Sequence, residues 1–152
     1  MRTLTVAFFA VLLSSCDSKA PEAPKPAATP KPHDESRRFS TVNLVDTIVV
    51  EKQLLGKPFM PGGTLAHYKK GRIEFEMFAA KMASPTEAAL LLPDWKKELA
   101  DSKYVPSFGG YYGQDGGRPV FVFTKGAWIA GVAGLQEKEA DKEARTLAKA
   151  LD

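Results

Sequence analysis

The spacing of apolar positions changes along this chain, and each change marks an element. Over 64–79, Ile73, Phe75 and Met77 alternate with Arg72, Glu74 and Glu76. A period of two puts one apolar and one charged face on a strand, so this stretch predicts a β-hairpin. Lys70-Gly71 is its turn, because glycine supplies the positive φ that tight hairpins need. Val120, Phe121, Val122 and Phe123 leave no polar face, which predicts a central strand covered on both sides. Lys125-Gly126 then turns the chain into Ala127, Trp128, Ile129, Ala130, Gly131 and Val132, a second hairpin with the same Lys-Gly turn. A further strand is expected over 104–112, with 113–117 as its exit loop.

Elsewhere the period lengthens. Ser84-Pro85-Thr86-Glu87 combines a capping serine, a proline at the first helical position and a glutamate three after the cap. Ala88, Leu91, Leu92, Trp95 and Leu99 then line one helical face, which makes Trp95 a core residue. Pro93 interrupts the run and predicts a kink or two short helices. In the last segment, 136–152, Ala140, Ala144, Leu147, Ala148 and Leu151 form an apolar stripe. Acidic residues near its start and basic ones near its end suit the helix dipole. Leu44, Val45, Ile48, Val49 and Leu55 also approach helical spacing. They predict a helix ending at Gly56, although much of the stretch is β-branched. Residues 57–63, with two prolines and Gly62-Gly63, read as a loop.

The expected architecture is α+β: an antiparallel sheet of about four or five strands with two or three helices packed on one face. The order hairpin, helix, hairpin, helix suggests a pseudo-repeat.

The N-terminus is different. Arg2 precedes an apolar run of ten residues, Leu4 to Leu13, too short for the ~20 residues that span a bilayer but suited to an export signal. Leu13-Ser14-Ser15-Cys16 follows, a large aliphatic residue, two small ones and a cysteine. This motif resembles the lipobox of bacterial lipoproteins. The resemblance implies a signal peptide over 1–15, cleavage between Ser15 and Cys16, and diacylglycerol on the Cys16 sulfur with an acyl chain on its new amino group. It also implies a lipid-anchored protein on the periplasmic face of a cell membrane. Asp17, directly after the cysteine, favours the inner membrane, the outer membrane being the alternative. Two or three chains anchor stably where one holds only marginally.

Residues 16–38 hold the lipidated cysteine and a linker carrying five of the eleven prolines. The linker has almost nothing apolar to bury, so it is expected to stay unfolded and extended, reaching roughly 70 Å. A single α+β domain is expected over 39–152. From Phe39 onward there are 15 Lys and Arg against 14 Asp and Glu, too even a balance for nucleic acid, which needs a basic stripe. Cys16 is the only cysteine, which excludes an internal disulfide and leaves no thiolate for catalysis or zinc. No metal or other cofactor is expected.

Candidate chemistry is sparse. Eight of the twelve glycines lie between Gly109 and Gly134, but their spacing is wrong for a dinucleotide loop. Within that stretch Tyr111, Tyr112, Gln114, Asp115 and Arg118 gather aromatic and hydrogen-bonding groups, a candidate binding surface for an envelope protein partner. Residues 62–135, a Gly-rich Tyr-containing strand before a Phe-rich hairpin, resemble uncharacterised bacterial envelope domains, and that resemblance implies no activity. No catalytic residue is assigned, because His67 is the domain's one histidine and no paired motif accompanies it. The expected function is a non-catalytic binding or accessory role in the cell envelope. The alternative is a small envelope hydrolase using His67 and surface carboxylates such as Glu74 and Glu76.

Overall fold

The structure is a computed structural model that describes residues 30–152. The expected signal peptide, the lipobox with Cys16, Asp17 and the linker up to 29 lie outside the described residues. Seven strands form one antiparallel sheet: β1 (Leu44–Lys52), β2 (Pro61–Lys70), β3 (Ile73–Lys81), β4 (Ala100–Val105), β5 (Gly110–Asp115), β6 (Arg118–Lys125) and β7 (Trp128–Ala133). Their order is β1-β2-β3-β7-β6-β5-β4. The chain makes two meanders that meet where β3 pairs with β7, Lys81 opposite Trp128.

The helices divide between the faces. α1 (Pro85–Leu90) and α2 (Leu92–Glu98) meet at Leu91 as one kinked arm. They cover the face carrying Phe78, Val120, Val122 and Ile129, with Trp95 fully buried. α3 (Glu137–Ala150) covers the other face through Ala140, Ala144 and Leu147, against Met77, Phe121, Phe123 and Val132. Small residues on α3 let its backbone come close to those rings.

Several expectations are therefore corrected. A sheet of about four or five strands with two or three helices on one face is replaced by a mostly β molecule with seven strands and two helical arms on opposite faces. The predicted helix over 44–55 is strand β1 followed by a short 3-10 turn at Leu54–Gly56. Its apolar residues mimic helical spacing because β1 is an edge strand with exposed aliphatic side chains, and a bulge between Leu44 and Asp46 breaks its alternation. Gly62 and Gly63 belong to β2 rather than to a loop. A Cβ on Gly62 would sit 2.2 Å from the Glu51 carbonyl oxygen, so only glycine lets β1 approach there. The single strand expected over 104–112 is two strands, β4 and β5, and Gly113 lies inside β5. The pseudo-repeat fails as symmetry. A twofold normal to the sheet would superpose the hairpins but keep both helices on one face.

Other expectations stand. Pro93 accompanies two short helices, β6 is buried on both faces, and both Lys-Gly turns form, with Gly71 and Gly126 at positive φ. In each, only the first central residue has a positive φ, as type II′ turns require. The described end of the expected linker departs from the extended, unfolded chain: residues 30–38 lie against the domain and include a 3-10 turn at Ser36–Arg38. The Glu35 amide donates to the buried Thr64 hydroxyl at 3.0 Å, and the Ser36 and Thr47 hydroxyls meet at 2.9 Å. Among the described residues no helix is long and apolar enough to cross a membrane.

Candidate functional site

The register of β1, β2 and β3 builds the site. Asp46 lies opposite His67, and His67 opposite Glu76. Residues directly opposite in a sheet share a face, so the three side chains form a row across three strands. This is the face of α1 and α2, beyond the ends of those helices. Asp46 Oδ1 meets His67 Nδ1 at 2.5 Å, and Glu76 Oε1 lies 3.5 Å from His67 Nε2. Arg118, at the start of β6, extends the row: its Nη1 donates to Glu76 Oε2 at 2.9 Å and its Nη2 to the Ala133 carbonyl at 3.4 Å. The row floors an open groove of about 390 Å³ that is also lined by Val45, Lys69 and Glu74.

The chemistry available to His67 follows from its two neighbours. A neutral imidazole has one donor and one acceptor nitrogen, so it can donate to only one of two flanking carboxylates. The imidazolium donates to both. Either way, neither ring nitrogen points at a potential nucleophile, and no serine, threonine or cysteine lines the groove. The two nitrogens diverge toward different carboxylates and cannot converge on one ion. Among the described residues no cluster of three or more His, Cys, Asp or Glu is placed to hold a metal.

The residues of the expected binding surface are dispersed. Tyr111 and Tyr112 point to opposite faces of β5. Tyr111 packs beside Tyr104, ring centroids 5.5 Å apart, with the Lys96 ammonium 5.8 Å from its ring. Tyr112 packs toward α3, where burial first and the Glu137 charge second push its phenol up, opposed by a hydrogen bond to the Glu137 backbone. It lies near a groove of about 370 Å³ floored by Val105 and Phe121. Asp115 accepts from Lys57 Nζ at 2.8 Å, and Glu98 accepts from the same nitrogen at 3.0 Å. Burial, the largest single influence, would lower the Lys57 ammonium, but the two hydrogen bonds and the charges of Asp115 and Glu98 together hold it above its ordinary value. Gln114 is half-buried on β5. Of the five, Arg118 alone joins the His67 row.

Asp46 is the member of the row that sequence reasoning missed. Its stretch has apolar spacing close to that of a helix, and only the β1–β2 register sets it beside His67. Glu76 was visible as a charged strand position, but its partners come from two other strands. Comparison with protein-family models, with curated proteins and with solved structures finds no match for this chain.

Proposed function

We propose that this protein is a lipid-anchored cell-envelope protein whose folded domain binds a partner and performs no chemistry of its own. The observation that carries the non-catalytic reading is His67. Its Nδ1 faces Asp46 and its Nε2 faces Glu76, which Arg118 holds in turn. A general base needs a free lone pair within reach of the proton it removes, and this row directs both nitrogens to carboxylates. The anchor rests on Leu13-Ser14-Ser15-Cys16. Asp17 favours the inner membrane, and the balanced charge of the domain argues for a protein partner over nucleic acid.

A small envelope hydrolase is the second reading. The Asp46–Nδ1 contact favours it, because a carboxylate on one ring nitrogen is what orients a catalytic histidine.

Two measurements test the proposal. The native protein should partition into the detergent phase of a Triton X-114 separation, and Cys16→Ser should move it to the aqueous phase. Native protein wholly in the aqueous phase would sink the anchor. His67→Ala should complement a deletion strain as well as the parent does. Loss of complementation in a normally folded His67→Ala variant would favour the hydrolase.

A further inference from the structure

The two edges of the sheet are built differently. β4 is short, has a bulge between Ala100 and Lys103, holds Asp101 in the left-handed region and carries charges. These are the devices that stop an edge from pairing with another chain. β1 is nine residues long, and Val45, Ile48 and Val49 are 62%, 45% and 42% exposed. Beyond the bulge at Leu44 and Asp46, it runs regularly from Asp46 to Lys52.

The ladder shows which backbone groups of β1 have no partner among the described residues. The Gln53 amide donates to the Met60 carbonyl at 3.1 Å, and Lys52 lies opposite Pro61, which has no N–H. Hydrogen-bonded and non-bonded pairs alternate in an antiparallel ladder. Thr47, Val49 and Glu51 therefore bond to β2, whereas Asp46, Ile48, Val50 and Lys52 turn their N–H and C=O groups outward.

We infer that this edge pairs antiparallel with β1 of a second copy of this chain, about a twofold axis through Val49. Outward groups must meet outward groups, so the axis falls on a single residue. An axis at Val49 sets Asp46 opposite Lys52 at two symmetric places, Ile48 opposite Val50, and Val49 opposite itself. An axis at Ile48 would set Asp46 opposite Val50, and one at Val50 would set Ile48 opposite Lys52. Only the Val49 register pairs the opposite charges, each such pair stabilising the ladder and like charges opposing it. The result is an isologous interface in which the two sheets continue as one and the exposed Ile48 and Val49 are covered. It goes beyond the binding role proposed above and does not depend on the lipid.

The full chain, purified in detergent, tests this. Sedimentation should give a dimer, and Lys52→Glu should raise its dissociation constant about tenfold or more by setting carboxylates opposite Asp46 twice. Val49→Cys should form a disulfide-linked dimer on mild oxidation, because non-bonded pairs bring Cα atoms to about 4.5 Å. Thr47→Cys should not, since its twin lies roughly 14 Å along the strand. The parent chain, whose only cysteine is Cys16, is the control. Ile48→Pro removes an outward N–H, so it should give a folded monomer whose melting temperature, unlike the parent's, no longer depends on protein concentration. A native chain that stays monomeric at its highest soluble concentration overturns the inference. So does a dimer that Val49→Cys fails to crosslink.

Discussion

Tyr68 shows how much one residue's setting departs from what its type suggests. Its ring stacks on Phe75 at 4.9 Å, and its hydroxyl donates to the Ser40 carbonyl at 2.8 Å. Burial, with the Glu143 charge adding to it, pushes the phenol up to about 12. An unfolded tyrosine ionises near 10. Between these values the unfolded chain loses the Tyr68 proton while the folded chain keeps it, so stability is unaffected below about pH 10 and falls as pH rises toward about 12. In an absorbance titration, one of the four tyrosines should ionise only at the top of this range. Tyr68→Phe should remove that phase and reduce the loss of stability across it. Nothing local in the sequence around Tyr68 announced this. The alternation around it placed it on a strand, but the buried setting comes from Phe75, the preceding segment and α3.

Among the elements, α1 was the most legible. The Ser84 hydroxyl accepts from the Glu87 amide at 3.2 Å, as the capping pattern predicts. The reciprocal half differs: Glu87 Oε2 accepts from the Ala83 amide at 3.2 Å, one residue before the cap. Ser84→Ala should therefore cost about 0.5–2 kcal/mol, read as a lowered urea midpoint with an unchanged slope. An unchanged midpoint would mean the cap carries no weight. β1 was the least legible element. Val45, Ile48 and Val49 would normally mark a buried face, and a reader of the sequence has no way to know that these apolar residues stand at an exposed edge. The two Lys-Gly turns were readable because the required φ is a property of glycine itself.

Across the whole molecule, Arg38 joins the beginning of the described chain to its end. Its Nη1 donates to the carbonyls of Ala150 and Asp152 at 2.6 and 3.2 Å, its Nε to Glu35 at 2.7 Å, and it lies 4.7 Å over the Trp128 ring. A cation at the C-terminal end of α3 also meets the negative end of that helix. Arg38→Ala should cost about 1–3 kcal/mol by thermal or chemical unfolding. Lys31→Ala, which breaks the exposed pair with Glu51 at 3.2 Å, should cost about 0–1 kcal/mol. Equal losses from both would show that the carbonyl and Trp128 contacts of Arg38 add nothing beyond an exposed ion pair.

Within the described residues, the sequence by itself determined the cap at Ser84, the break at Pro93, the glycine turns, the buried strand Val120 to Phe123 and the stripe of α3. Each of these follows from interactions between residues close together in the chain. The strand count, the division of the helices between two faces, and the row Asp46, His67, Glu76 and Arg118 were decided by the tertiary structure. They depend on which strands lie side by side and in what register, and that is set by packing between segments far apart in sequence. A shift of one residue between β1 and β2 would carry Asp46 to the opposite face from His67.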